Sequence, residues 1–319
     1  VSGVTLAVAR PREIARVDRV TRAALAPIPG GAEWVAFAGE TLVASSRAPA
    51  RLRADGRAIE LRAPVVTLAA VSGGRAVATV VTDHAAAGEP IAAHLGNHFI
   101  EDQIVIRDLT GLAVLRRVPT AGRSARQDAA GGLDRGASPM QIDESPDGTL
   151  CVAFAGSDEV ALIPSRGETR WMDTAPYGLS APHACVVLAS GAVAITSPSS
   201  GAVALVRPNG ELLALHHLAP TDEVLRREDP AAMRVRDGER AFYEATRAGI
   251  SCQSCHLHGA SDEMAHNIGG LTLVPTLDVR GVAGTAPYLR DGSYPRIAEL
   301  HGVAQVLYRG YREAADDRG

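Results

Sequence analysis

From Val4 to about residue 220 the apolar residues fall in short runs, broken repeatedly by Gly, Pro, Asp and Asn. The runs 4–9, 41–44, 76–81, 103–107 and 151–154 are rich in Val and Ile and too short for helices, so they predict β-strands. Between such runs, Ala54-Asp55-Gly56, Ser72-Gly73-Gly74 and Pro146-Asp147-Gly148 predict hairpin turns, where a left-handed backbone favours Gly or Asp. From Leu218 the pattern changes to a helical period. Thr221 ahead of Asp222 and Glu223 caps a short helix or linker, and 236–245 predicts an amphipathic helix that buries Ala241, Phe242 and Ala245. A further helix is predicted over 295–307, where Ile297, Leu300, Val303 and Leu307 form one stripe.

Two of the strand-rich segments repeat each other. Pro139 and Pro182, Gly148 and Gly191, and Val160-Ala161-Leu162 and Val203-Ala204-Leu205 are each separated by 43 residues. A period in the forties with four short strands per unit predicts a β-propeller blade. More degenerate blades are expected at 1–29, 30–63 and 64–120, giving about five recognisable blades. Closed rings commonly use more, so the ring is either small, incomplete in this chain, or completed by a partner or by the chain's own second part.

The third blade carries a long insertion with His84, His94 and His98, and a polar Gly- and Arg-rich loop runs over 121–136. Long insertions of this kind are more often functional than connecting; histidines in them are either solvated loop residues or metal and cofactor contacts. The expected organisation is multidomain β + α: a propeller over 1–220, a linker over 221–235, and a small helical domain over 236–319.

The composition narrows the function classes. The net charge is -4 and the only basic side chains besides His are Arg, so no bulk attraction for nucleic acid is expected, and any charged docking must use Arg and carboxylates. No apolar run is long enough to span a membrane, and the N-terminal residues lack the pattern of a signal peptide.

The chemistry concentrates at Cys252-Gln253-Ser254-Cys255-His256. Cys-x-x-Cys-His is the spacing that attaches a c-type haem, with both thiols bonded to the porphyrin and the adjacent His as proximal iron ligand. Two other readings use the same thiols: a redox dithiol, and a zinc site completed by His258 and His266. Haem leaves fewest residues unexplained, because it alone assigns His256 a role. One covalent haem c implies an extracytoplasmic, periplasmic-type compartment with any export signal already removed. In that compartment Cys151 and Cys185 have two readings, a disulfide or two small buried strand residues.

Around that motif lie Gly238-Glu239-Arg240-Ala241-Phe242, Pro275-Thr276-Leu277, Arg280-Gly281-Val282-Ala283, Thr285-Ala286-Pro287-Tyr288 and Asp291-Gly292-Ser293. In this order they resemble the haem domain of the bacterial cytochrome c peroxidase/MauG superfamily, in the branch that places it behind a YVTN-type β-propeller. The resemblance implies a sixth iron ligand on the helix after Asp291-Gly292. The position matching the relatives' ligand is Ala304, which cannot bind iron, so His301 is the candidate and Tyr308 the next; Met264 and His266 are further candidates. Arg280 and Arg290 are candidates for the haem propionates, and Phe242 and Tyr288 for packing on the porphyrin. The chain departs from the superfamily in having one haem motif and in carrying Arg290 where relatives have His.

The expected function is electron transfer with a docked redox partner. A peroxidase- or oxidase-like activity, with an open iron or a second haem supplied by a partner, is the alternative. A third reading makes the propeller a binding module and the haem structural.

Overall fold

The computed structural model describes residues 5–10, 12–18, 20–30, 32–84, 100–120, 122–123, 134–245, 251–267, 273–289 and 291–300. Five antiparallel sheets follow one another along the chain. The first has three strands, β1 (Thr5–Ala9), β2 (Glu13–Asp18) and β3 (Ala24–Pro29). The second holds β4 (Trp34–Ala38), β5 (Thr41–Ser46), β6 (Arg51–Ala54) and β7 (Arg57–Glu60). The third holds β8 (Val65–Val71), β9 (Ala76–His84), β10 (Ile100–Asp108) and β11 (Val114–Pro119). After a two-stranded pair, β12 (Gly122–Arg123) with β13 (Asp134–Arg135), the fourth sheet holds β14 (Pro139–Glu144), β15 (Leu150–Phe154), β16 (Glu159–Ile163) and β17 (Arg170–Asp173). The fifth holds β18 (Ala184–Val187), β19 (Val193–Ser197), β20 (Ala202–Val206) and β21 (Leu212–His217).

Every sheet is an up-and-down meander, and the first strands of successive sheets lie against one another: β1 with β4, β4 with β8, β8 with β14, and β14 with β18. This is the blade arrangement of β-propellers, and the sheets coincide with the units expected from the sequence. The repeat is exact in its middle strands, since β15 and β16 recur 43 residues later as β19 and β20. The turns form for the expected reason. Asp55 and Gly56 both have positive φ in the tight turn from β6 to β7, and Gly148 has φ +81° between β14 and β15.

The core lies between sheets. In β15 alternate residues serve opposite neighbours: Leu150, Val152 and Phe154 face the third sheet, while Cys151 and Ala153 face the fifth. Consequently β15 and β16 are buried at every position. Strands β19 and β20 instead alternate buried and half-buried, with Val193, Ile195, Ala204 and Val206 turned towards the fourth sheet. Cys151 and Cys185 form a disulfide from β15 to β18, with a Cα–Cα distance of 5.8 Å, which resolves the two readings in favour of the bridge.

After the fifth sheet come α1 (Asp222–Glu228), capped by the Thr221 hydroxyl, and α2 (Pro230–Tyr243), capped by the Asp229 carboxylate. The 221–235 region, expected as a linker or short helix, is therefore mostly helical. The second helix begins earlier than its apolar spacing suggested and docks differently: Ala241 is exposed, Phe242 half-buried, and its buried positions are Met233 and Arg236, while Ala245, just past its end, is buried as expected. Arg236 and Arg240 converge on Asp222, and Arg240 also donates to the Ser199 carbonyl of the fifth sheet, so charge and hydrogen bonds seat the helix where an apolar stripe was expected.

From 251 to 300 the described chain holds α3 (Cys252–Cys255), a hairpin of β22 (Ala265–Asn267) with β23 (Leu273–Pro275), and 3₁₀ turns at Leu257–Gly259, Val282–Gly284 and Ile297–Glu299. It does not form the expected compact helical domain within the described residues. Instead it is laid along the sheets. The Ala245 amide donates to the Gly156 carbonyl, and Ser251 Oγ lies 2.7 Å from Ser138 Oγ, both on the fourth sheet or its turns. Leu257 enters the core between the third and fourth sheets. Arg47, from the second sheet, is buried, pairs with Glu33 at 2.8 Å, and donates to the Leu257 and Ser261 carbonyls. His258 stacks edge-on against Trp34 with ring centroids 5.4 Å apart. The insertion with His94 and His98, Arg290, and the 301–307 part of the last predicted helix with His301, Ala304 and Tyr308 lie outside the described residues.

Two outcomes follow from these contacts. Removing the disulfide as Cys151→Ala with Cys185→Ala should cost about 3–4 kcal/mol for a loop of this length, read as a lower denaturant midpoint; an unchanged midpoint would contradict a stabilising staple. Arg47→Ala should weaken the seating of 251–267 by about 2–3 kcal/mol, the usual worth of hydrogen bonds from a charged group, and raise amide exchange there while the fourth and fifth sheets keep their protection. Equal exchange in both proteins would show that Arg47 does not hold the segment.

Candidate functional site

The Cys-x-x-Cys-His motif is a single helical turn whose two middle residues are buried. Gln253 is 2% exposed and its Oε1 accepts the His258 amide at 2.7 Å. Ser254 is also buried, and its hydroxyl accepts the Ser251 amide at 3.0 Å, which closes the first turn of α3. Residues three apart share a helix face, so Cys252 and Cys255 lie together; neither is in a disulfide, and each keeps part of its surface open.

A return of the chain fixes the imidazole. The Thr276 amide donates to the Met264 carbonyl and the Val279 amide to the Gly259 carbonyl, which brings 276–279 alongside the motif. The Leu277 carbonyl then lies 2.8 Å from His256 Nδ1. Since a carbonyl only accepts, Nδ1 carries the proton and Nε2 keeps its lone pair. Burial lowers the His256 pKa, more than Leu277, Asp262 and Asp278 raise it, so the ring is neutral near pH 7. A neutral imidazole held through one nitrogen is the form that binds a metal through the other.

Beside the thiols lies a second group. Asp262 and His266 are each 1% exposed and are joined through His266 Nε2 at 2.6 Å. Burial raises the Asp262 pKa, but hydrogen bonds from His266 and the Met264 amide outweigh it and keep the carboxyl below its ordinary value. The Cys255 sulfur is packed close by. Burial, the Asp262 carboxylate and Cys252 together push its pKa well up, so it is a neutral thiol.

The remaining candidates are placed as follows. Arg280 grips Asp278 through Nε and Nη2 and holds that carboxyl down to about 2, and its side chain lies across Gly259, where a Cβ would come within 3.0 Å of Arg280 Cγ. Tyr288 is buried, with its hydroxyl donating to the Ala283 carbonyl. Phe242 packs edge-on against Tyr243, which itself stacks on His183 of the fifth sheet. His258 and His266 diverge: the first turns to Trp34 and the Val66 carbonyl, the second to Asp262 and Cys255. The zinc set imagined with both histidines is therefore not assembled. Sequence reasoning missed Asp262 and Leu277; the first had an i, i+4 spacing to His266 as its signal, while the second acts through a backbone carbonyl and had none.

Neither a described protein family nor a curated protein matches the chain. Several solved structures are similar to it in part. Hydrazine synthase of Kuenenia stuttgartiensis has 10% identity and a TM-score of 0.44, over 75% of this chain and 67% of that one. The dihydro-heme d1 dehydrogenase NirN has 14% identity and a TM-score of 0.45, over 68% and 44%. BamB from Moraxella catarrhalis has 16% identity and a TM-score of 0.40, over 68% and 61%. At these values the likenesses carry no statement about what this chain does.

Proposed function

We propose that the chain is an extracytoplasmic monohaem c-type cytochrome that exchanges single electrons with a docked partner protein. The observation that carries this reading is two neighbouring thiols on one face of α3, followed by an imidazole whose Nδ1 is already committed to the Leu277 carbonyl. In this reading Cys252 and Cys255 are the attachment points and His256 Nε2 is the proximal ligand. When bound, haem c supplies a one-electron centre whose potential depends on its axial ligands.

The surrounding chain fits such a group. Among the described residues from 251 onward, only Leu257, Ala260 and Tyr288 are buried apolar side chains, and Leu257 is committed to the propeller core. Leu273, Leu277, Leu289 and Ile297 are exposed. Of these, Leu277 adjoins the motif through its carbonyl on His256, and covering its side chain with an apolar macrocycle would gain roughly 25 cal/mol for each Å² buried. The propeller holds the segment through Arg47, His258 and Ser251, while Cys252 and Cys255 are each half-buried.

The ordered motifs resembling the cytochrome c peroxidase/MauG superfamily support haem binding, and the single haem motif favours electron transfer over a two-haem reaction. Arg280 and Arg290 are assigned to the propionates, and His301 to the sixth iron position. The Cys151–Cys185 bridge supports an oxidising compartment such as the periplasm, and no described helix is long and apolar enough to cross a membrane.

The test is the pigment itself. Exported protein should keep its haem through acid extraction of the denatured chain, and its reduced spectrum should be of the six-coordinate low-spin type. Loss of pigment on extraction overturns the attachment, and a high-spin ferric band that shifts with peroxide overturns electron transfer in favour of the peroxidase reading. His256→Ala should leave attachment intact and replace the native spectrum by that of a haem lacking its imidazole; an unchanged spectrum would remove His256 from the iron.

A further inference from the structure

The Asp262–His266 pair has no part in the proposed haem attachment, yet it is built against one of the two attachment thiols. A ring nitrogen of His266, a carboxylate oxygen of Asp262 and the sulfur of Cys255 all lie within 4.8 Å of one another. We propose that the haem-free chain binds one zinc-class dication at Cys255, Asp262 and His266, and that this state excludes thioether formation at Cys255.

The donor set selects the class of ion. Thiolate, imidazole and carboxylate are together the ligands of zinc and its close relatives, whereas magnesium and calcium take oxygen donors almost exclusively. Three protein ligands leave a fourth tetrahedral position for water. The ligands are also held in place from outside the cluster. Cys255 ends the turn that Ser251 and Ser254 close, Asp262 accepts the Met264 amide, and His266 lies in β22, paired with Val274 of β23. A dication also answers the electrostatics of a site that sets a buried carboxylate beside a sulfur, since it favours the charged form of both. On binding, the Cys255 S–H proton leaves to water and the sulfur lone pair forms the metal–sulfur bond; no electron is transferred.

Binding does not depend on the haem reading, while the exclusion clause rests on it, and the two are separable. The full chain, made without haem attachment and kept reduced, is titrated with Co²⁺. One equivalent should bind with an intense sulfur-to-cobalt charge-transfer band and tetrahedral d–d bands, and Zn²⁺ should displace it. Cys255→Ser should abolish the charge-transfer band. His266→Gln and Asp262→Asn should each weaken binding by roughly tenfold or more, as loss of a ligand implies, whereas His217→Ala, on the exposed edge strand β21, should not. Absence of the band in the unaltered chain, or unaltered affinity in His266→Gln, overturns the site. A measurement that needs no variant is alkylation: Zn²⁺ should protect Cys255 from iodoacetamide, and equal rates with and without metal overturn the proposal. The exported, pigmented chain should show no such band; a band there overturns the exclusion alone. A chain that never acquires pigment but still gives the band would end the haem reading and leave the metal site standing.

Discussion

Strands that are buried at every position cannot stand alone, because both of their faces must be removed from water. The fourth sheet imposes this condition on the rest of the molecule. Its central strands β15 and β16 send alternate side chains to the third and fifth sheets, and the cores thus formed hold three successive blades in a fixed order. Phe154, with no exposed surface, packs against Trp171 on one side of the sheet while Cys151 is bonded to Cys185 on the other. Core and crosslink act on the same strand from opposite faces.

That rigid stack is the platform on which the chemistry rests. The described segment from 251 onward buries few of its own apolar residues, and apart from Leu257 in the core what positions it is polar or aromatic: Arg47 against two backbone carbonyls, serine against serine, an imidazole against an indole. Such contacts are directional, so they fix orientation as well as attachment. The middle residues of the motif, Gln253 and Ser254, are spent on closing the turn itself, through the His258 and Ser251 amides, while Ser251 meets Ser138 of the platform.

What could be read in the sequence was what is decided locally. Alternation of period two, a Gly or Asp where φ must be positive, and a 43-residue offset between Val160 and Val203 depend on neighbouring residues, and they yielded strands, turns and blade boundaries. The haem-type spacing was legible for the same reason, as was the cap at Thr221. What was not legible depends on partners distant in the chain. The face of α2 was misassigned because its seating is set by Asp222 and by the Ser199 carbonyl, neither of which contributes to helical periodicity. His258 and His266 are close in sequence and diverge in space, because a left-handed backbone at His258 turns one towards the propeller. Leu277 orients His256 through a main-chain oxygen, a role that any residue type would fill.

The contact between Arg47 and Leu257 joins residues 210 apart. Contacts of that span close late, after the intervening chain has collapsed, and a chain made from its N-terminus has its blades laid down before the motif emerges. The motif is thus synthesised after every strand that it rests on, and its place in the fold is set by residues made some two hundred positions earlier.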